Sequence, residues 1–274
     1  MTEVARSAIH PTAIVSLSAS IGDKVEIGPY TIIGEDVSIG DGTRIGPHVV
    51  IDGPTEIGRD NLVVGQSSIG TMPQDLKYRG ERSKLRIGDR NRIREFVTIN
   101  RGTLGGIEET VLGNDNLLMA GVHIAHDCVL GNGTVFSNCA SLAGHVVVGD
   151  HAILGGFAGV SQYCRVGPHA FLGAYSVLTR DALPFVKTVG SRNQARIYGI
   201  NQVGLERKDF SKEEIEQLKR AYRILFRKGL LVDEAVGRLA LEIENWESVR
   251  TLVDFIRASE RGFVRATSDR SDES

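Results

Sequence analysis

Aliphatic residues recur at every sixth position along most of this chain, and that period restricts the possible folds more than any other feature. One series runs unbroken from Ile9 to Ile69, a second from Ile87 to Ile99, and a third from Leu112 to Leu178. Glycine directly follows many of them. A period of six fits neither an α-helix nor the two-residue alternation of a β-strand. It predicts short strands joined by turns, with one residue of each strand pointing inwards.

Three successive repeats form one coil, and stacked coils form a triangular prism with an aliphatic interior. The pattern resembles the hexapeptide-repeat proteins, whose fold is a left-handed parallel β-helix. The left hand is what this resemblance implies, since ordinary parallel crossovers are right-handed. The alternative is a β-solenoid of another kind. We therefore predict a mainly β chain, with a β-helix domain over residues 1–190.

Two charged or glycine-rich segments interrupt the repeat and are predicted to form loops, at 71–86 and 100–111. Loops on a rigid scaffold often carry function. After the repeat, the sequence predicts a C-terminal α-helical domain over 191–265 and a disordered polar tail over 266–274.

Helical signals support that C-terminal domain. Ser211 and Glu214 have the spacing of a capping box, and apolar residues then recur at helical intervals. Two further helices are predicted at about 233–243 and 247–257.

The charge balance excludes several classes of partner. With 32 basic and 34 acidic side chains, no overall basic excess indicates nucleic acid or a membrane surface. No apolar run is long enough for an integral membrane segment, and the N-terminus lacks the apolar core of a signal peptide. Cys128, Cys139 and Cys164 form no CxxC pair. Together these features predict a cytoplasmic protein.

Five of the seven histidines lie between residues 123 and 169, and His126 is the most informative of them. The coil length predicts that Gly144 stacks on His126, with Gln162 one coil further. An imidazole base beside a glycine amide is the arrangement that acyl transfer requires. The alternatives are histidines that only cap turns, or a zinc site. His151 and His169 are one coil apart and so stack, and some hexapeptide-repeat proteins are zinc carbonic anhydrases.

A set of segments helps to decide between acyl transfer, turn-capping histidines and a zinc site. They are 74–78, 87–95, 99–103, 116–119, 123–128, 142–145, 201–207 and 257–262. Together they resemble the cytoplasmic UDP-N-acetylglucosamine 3-O-acyltransferases of lipid A synthesis, over about residues 8–262. The resemblance implies transfer of a 3-hydroxyacyl chain from acyl carrier protein to the sugar 3-position. It also implies a homotrimer with sites between subunits, and no metal or organic cofactor.

Site roles follow from the same resemblance. It makes His126 the general base, Asp127 the group that orients it, and the Gly144 amide the oxyanion donor. The remaining positions would bind substrate: Gln74, Asp75, Lys77, His123, His145, Ser161, Gln162, Asn201 and Arg207.

The chain also departs from the family pattern. Ser161 stands where the family often has histidine, and segment 191–196 differs from the commoner Gly-Asn-Pro-Ala-Arg pattern. Three alternatives remain open: a 3-amino sugar acceptor, an acetyl-coenzyme A-dependent acetyltransferase, and a non-catalytic scaffold.

Basic residues on the first predicted helix either dock acidic acyl carrier protein or form an ordinary solvated face; they are Arg220, Arg223, Arg227 and Lys228.

Overall fold

The computed structural model describes residues 7–243 and 247–266. Its strands are short, and most contain only two residues. The first half of the chain forms β1 (Ala8–Ile9), β2 (Ile14–Val15), β3 (Ser20–Ile21), β4 (Glu26–Ile27), β5 (Ile32–Ile33), β6 (Val37–Ile39), β7 (Arg44–Ile45), β8 (Val50–Ile51), β9 (Thr55–Ile57), β10 (Leu62–Val63), β11 (Ser68–Thr71), β12 (Lys84–Ile87), β13 (Arg92–Ile93) and β14 (Thr98–Asn100). The second half forms β15 (Glu109–Leu112), β16 (Leu117–Leu118), β17 (His123–Ile124), β18 (Val129–Leu130), β19 (Val135–Phe136), β20 (Ser141–Leu142), β21 (Val147–Val148), β22 (Ile153–Leu154), β23 (Gly159–Val160), β24 (Arg165–Val166), β25 (Phe171–Leu172), β26 (Val177–Leu178), β27 (Val186–Val189) and β28 (Arg196–Ile200).

These strands build three sheets of eleven, nine and eight strands, which form the faces of a left-handed parallel β-helix. The predicted fold class is therefore confirmed. Through the regular coils, each strand pairs with the one three positions later in the chain. Partner residues are then one coil apart in sequence, as Ile124 and Leu142 are. Among the described strands, only β27 and β28 pair in antiparallel fashion.

The inward-pointing side chains, one from each strand, stack in columns along the axis of the prism and form its core. We call such a stack the inward column. Ile99, Ile124 and Leu142 stack on one another and are fully buried. The first coil is the exception, because Ile9 is 44% exposed although the repeat predicts an inward side chain. A terminal coil has a neighbour on one side only, so its column is half uncovered.

We expect each residue of the inward column to stabilise the fold through its packing against the coils directly above and below it. Ile93 is fully buried between Val63 and Leu118. Ile93→Ala should lower the free energy of unfolding by about 2–5 kcal/mol, since the substitution removes buried methylenes and leaves a cavity. Guanidinium titration measures this loss. Ile93→Val is the control and should cost only about 0.5–1.5 kcal/mol. Equal losses of unfolding free energy in the two variants would contradict the assignment of Ile93 to the buried core.

Two insertions distort the regular stacking. Ile87 pairs with Ile57 before it and with Leu112 after it, and both separations are longer than a regular coil. The extra chain forms loops 72–83 and 101–108, which fall within the predicted loop segments. Both loops leave the nine-stranded sheet at the edge where the chain passes to the eight-stranded sheet. We call this the His126 edge, because turns 125–128, 143–146 and 161–164 follow on it.

Helices follow the β-helix: a 3₁₀ turn at Arg192–Gln194, then α1 (Gln202–Glu206), α2 (Lys212–Arg227), α3 (Val232–Glu242) and α4 (Glu247–Arg257). The Ser211 hydroxyl accepts a hydrogen bond from the Glu214 N–H at 3.1 Å, as the capping pattern predicts. The sequence did not reveal the β27–β28 hairpin or the short α1. Ala266 still bridges to Ile197, whereas the rest of the predicted disordered tail, 267–274, lies outside the described residues. Among the described helices, none is long and apolar enough to span a bilayer.

Candidate active site

The His126 edge brings most of the predicted site residues together. A groove of about 530 Å³ runs along it and over the adjoining nine-stranded face. The predicted residues among those that line the groove are Gln74, His123, His126, Gly144, Ser161 and Gln162. They converge because turns one coil apart stack directly, and because loop 72–83 leaves the sheet at the same edge.

His126 and Asp127 form a hydrogen-bonded pair. His126 Nδ1 lies 2.8 Å from Asp127 Oδ2, and the carboxylate is fully buried. Consecutive side chains rarely face each other. Here Asp127 has φ +58°, a left-handed turn conformation that Asp tolerates and that turns its side chain back towards the imidazole.

The buried Asp127 carboxylate is surrounded by donors. Its Oδ1 accepts the Thr103 and Ile107 backbone N–H groups, both at 3.1 Å. Its Oδ2 accepts the Thr103 hydroxyl at 2.7 Å in addition to His126. Burial alone would raise the pKa of Asp127, but the hydrogen bonds from His126 and Thr103 outweigh it, so the pKa lies below its ordinary value.

These contacts determine which nitrogen of His126 carries the proton. An ionised carboxylate only accepts, so His126 Nδ1 must donate. The lone pair of the neutral ring then lies on Nε2, the nitrogen that opens towards Gly144. A basic Nε2 is what a general base for a hydroxyl needs.

Gly144 lies directly against the His126 ring, in agreement with the register. A Cβ at position 144 would stand 2.5 Å from His126 Cε1 and 2.7 Å from Nε2, so only glycine fits. The neighbouring amides of Ala143 and His145 donate to backbone carbonyls. Within the described residues, no carbonyl or side chain accepts the Gly144 N–H, which leaves it free for a ligand oxygen.

Two more histidines border this pair. His145 contacts His126 edge-on, with ring centroids 5.0 Å apart, and stacks on Tyr163 at 4.4 Å. Burial lowers the pKa of His145, and the nearby Asp127 carboxylate opposes that shift. Burial also lowers the pKa of His123, whose Nδ1 lies 2.8 Å from the Thr98 hydroxyl. Both rings are therefore neutral near pH 7 and suited to hydrogen bonding.

The two loop residues Asp75 and Lys77 do not line this groove; they line a neighbouring cavity together with Thr103 and Gly105, close enough for their charges to act on His145. The Asp75 carboxylate accepts the Lys77 N–H at 2.9 Å and shapes the loop. Ser161 is half-buried in the groove, and Gln162 is exposed beside it.

Asn201 and Arg207 lie elsewhere. Asn201 is buried and donates to the His169 carbonyl at 3.0 Å, on the edge between the eight- and eleven-stranded sheets. Arg207 follows α1 as its C-terminal capping residue and is exposed. In a single chain, these two residues are therefore not beside His126.

Metal-binding capacity is confined to one cluster in the described part of the chain. His126, Asp127 and His145 offer ligand atoms within 4.8 Å of one another. However, four donors already fill the Asp127 oxygens, and a metal ion would have to displace some of them. The donor set therefore fits a hydrogen-bonded pair better than a metal site. His151 and His169 do stack, at 5.0 Å, but no third ligand joins them among the residues described.

Sequence reasoning missed several contributors to the site. Thr103 lies in segment 99–103, which is one of the segments that carry the family resemblance, but the sequence assigned this threonine no role. Thr110 accepts the Asp127 N–H at 2.8 Å. Arg261, from the segment after α4, donates to the Gln162 carbonyl at 3.0 Å and lies over the Tyr163 ring. No periodic signal could have revealed these contacts between distant segments.

Comparisons with known families agree with this architecture. A family model described as "Bacterial transferase hexapeptide (six repeats)" matches residues 18–53 and 109–144. Another, "Udp N-acetylglucosamine O-acyltransferase; Domain 2", matches residues 181–264. The coils and the histidine-lined edge define this chain as a hexapeptide-repeat acyltransferase.

Curated relatives narrow the class to one family. An acyl-[acyl-carrier-protein]–UDP-N-acetylglucosamine O-acyltransferase from Xanthomonas euvesicatoria is 52% identical over 94% of this chain and 97% of its own length. The protein of the same name from Halorhodospira halophila is 53% identical, over 94% and 99%. The chain belongs to the acyl-[acyl-carrier-protein]–UDP-N-acetylglucosamine O-acyltransferase family.

Solved structures show the same likeness. The UDP-N-acetylglucosamine O-acyltransferase of Moraxella catarrhalis superposes with a TM-score of 0.90 at 46% identity, covering 94% of this chain and 99% of that one. The enzyme of Francisella novicida gives a TM-score of 0.91 at 39% identity, with 94% of both chains covered.

Proposed function

We propose that this enzyme transfers a 3-hydroxyacyl chain from acyl carrier protein to the 3-hydroxyl of UDP-N-acetylglucosamine, the first step of lipid A synthesis. The names of its relatives give the donor and the acceptor. The observation that carries the mechanism is the His126–Asp127 pair, whose free imidazole nitrogen opens onto a groove beside the Gly144 amide.

The chemistry follows from these groups. His126 Nε2 takes the proton of the sugar 3-hydroxyl as the oxygen attacks the thioester carbonyl carbon, and a C–O bond forms. The Gly144 N–H stabilises the developing oxyanion. The C–S bond then breaks, and the carrier thiol leaves with the proton returned by His126. Asp127 holds the ring in the required tautomer throughout.

Substrate-binding roles are part of the proposal. Gln74 and His123 face the same groove as the base, and His123, Asp75 and Lys77 would bind the sugar. His145, Gln162, Asn201 and Arg207 would hold the nucleotide and its diphosphate, with Arg207 supplying positive charge. Ser161 and Gln162 would contact the sugar nucleotide or the thioester at the far end of the groove.

A transfer assay tests this function. Purified protein is mixed with 3-hydroxyacyl carrier proteins of several chain lengths and with UDP-N-acetylglucosamine or its 3-amino analogue, and products are identified by mass. We expect an ester of the unmodified sugar, formed also in the presence of a metal chelator. An amide from the 3-amino sugar alone would correct the acceptor. Turnover of acetyl-coenzyme A alone, or binding without turnover, would contradict the proposal.

We also propose that the enzyme works as a homotrimer. Asn201 and Arg207 are at a different prism edge from His126, so they could join that site only from a neighbouring copy. Sedimentation should give three times the 29.7 kDa mass of the chain. An active monomer would contradict this assembly.

Helix α2 is the proposed docking surface for acidic acyl carrier protein. Its basic residues are not equivalent, since Arg220 is already paired with Glu242 at 3.1 Å. Arg223 and Lys228 are exposed, which leaves their charges available to a partner.

Charge reversal on α2 tests the docking surface. Arg223→Glu should raise the KM for the acyl donor severalfold and spare the KM for the sugar nucleotide, because only the carrier is a large acidic partner. Steady-state kinetics at low and moderate salt measure this effect. Arg250→Glu changes an exposed arginine on α4 by the same charge and serves as the control. An unchanged donor KM in the Arg223 variant would mean that α2 is an ordinary solvated face.

The proposed location is the cytoplasm. The three cysteines are free, and burial raises the pKa of Cys128 to about 12, so its thiol is protected rather than reactive. Free thiols are typical of a reducing compartment.

A further inference from the structure

We propose that loop 101–108 acts as the positioning device of the catalytic pair, with Thr103 as its central positioning residue. This inference rests on the proposed function, because it concerns the base that carries out the transfer. The loop has no direct contact to His126 in the described hydrogen bonds; it acts through Asp127.

The location of the insertion supports this role. Ile124 and Leu142 are separated by one regular coil, whereas the separation of Ile87 and Leu112 is longer, so additional residues enter between them. The coil that receives them lies directly below the turn that holds His126 and Asp127, since Ile99 pairs with Ile124. A solenoid coil does not need these residues for its own stacking.

The contacts made by the loop are aimed at one group. Three donors, the Thr103 N–H, the Thr103 hydroxyl and the Ile107 N–H, all reach the Asp127 carboxylate within 3.1 Å. His126 supplies the fourth. Two carboxylate oxygens offer about four acceptor positions, so the set is complete. Because Thr103 provides two of the four bonds, it controls where the carboxylate points.

The loop also excludes water from the carboxylate. Gly106 passes so close to Asp127 that a Cβ would stand 2.3–2.6 Å from its carboxylate atoms. Gly106 itself is exposed, so the backbone forms a single layer between the buried carboxylate and solvent. A hydrogen bond to a charged group is stronger where water is excluded, and the loop therefore strengthens the Asp127–His126 contact.

Removal of one hydroxyl tests the inference. Thr103→Val keeps the shape and removes the donor to Oδ2, and we expect kcat to fall about 10–100-fold with both KM values unchanged. Thr103→Ser should restore most of the rate. Loss of a donor also raises the pKa of Asp127, so the stabilisation of the fold by its carboxylate should be lost at a higher pH during acid titration. The titratable groups that interact with Asp127 are His126, His145 and the buried Cys128, and none of them is altered.

A matched control separates positioning from folding. Thr43 is a buried threonine whose hydroxyl donates to the Gly58 carbonyl at 2.9 Å, far from the groove. Thr43→Val should lower stability but leave unchanged both kcat and the pH at which the stabilisation by the Asp127 carboxylate is lost. If Thr103→Val behaves like Thr43→Val, the inference is overturned.

Two further variants complete the experiment. Gly106→Ala should also lower kcat, because the new methyl group pushes the loop away from Asp127, and its exposed position keeps the fold intact. Unchanged kcat in this variant would contradict the proposal that the loop backbone shields the Asp127 carboxylate from water. His126→Ala, measured in parallel, distinguishes a failure of the loop's positioning role from a failure of His126 as the general base. An inactive His126 variant beside a fully active Thr103→Val overturns this inference alone. An active His126 variant overturns the general-base mechanism on which the inference rests, and only absence of acyl transfer by the unsubstituted enzyme overturns the proposed function.

Discussion

His126→Ala is expected to lower kcat by about 10²–10⁴, the usual contribution of a general base. The imidazole is the group beside the Gly144 amide whose basic nitrogen opens onto the groove. With alanine, the sugar hydroxyl must lose its proton to water while the oxyanion donor stays in place. The KM values should change little, because the base contributes mainly in the transition state.

Quantitative kinetics with the acyl carrier protein donor provide the measurement. The His126 side chain is only 13% exposed, so its removal leaves a small cavity, and circular dichroism and sedimentation must show an intact fold. His10→Ala removes an exposed histidine at the N-terminal end and should retain full activity. Near-full activity of His126→Ala would mean that another group takes the proton.

The stacking of Gly144 on His126 could be predicted from the sequence because a coil contains a whole number of residues. Any two positions one coil apart in an uninterrupted stretch lie one above the other. The same coil spacing does not predict the hydrogen-bond partners of Asp127. Its partners Thr103 and Ile107 come from an insertion, and the path of an insertion follows from local turn geometry rather than from the repeat.

The C-terminal part shows a second limit of sequence reasoning. Amphipathic spacing predicts the helices well, and α4 begins and ends where expected. Helical spacing does not say which prism edge a helix covers. The family resemblance implies a substrate-binding role for Asn201, but its bond to the His169 carbonyl, away from His126, became visible only in three dimensions.

Asp127→Asn is expected to be almost as damaging as loss of the base itself, about 10²–10⁴ in kcat. The amide oxygen can replace Oδ1 and accept the Thr103 and Ile107 N–H groups. The amide NH₂ then replaces Oδ2 and donates to His126 Nδ1. This moves the ring proton to Nε2, so the nitrogen that opens onto the groove loses its lone pair. The base is present but in the wrong tautomer.

Stability should change with a defined pH dependence in the same variant. The pKa of Asp127 lies below its ordinary value of 3.8, so the carboxylate stabilises the fold above that value and loses its contribution as pH falls through the lowered pKa. The difference in unfolding free energy between wild type and Asp127→Asn should therefore shrink as the buffer becomes more acidic than pH 3.8.

Asp115→Asn is the matched control for both measurements. Asp115 has φ +59°, nearly the same as Asp127, but it is exposed and pairs with Arg90 at 2.8 Å on another edge. An amide there keeps the turn and costs little, since exposed ion pairs contribute about 0–1 kcal/mol. If Asp127→Asn retains wild-type kcat while its fold is intact, His126 does not depend on the carboxylate for its tautomer, and the general-base mechanism would need a different partner for Nδ1.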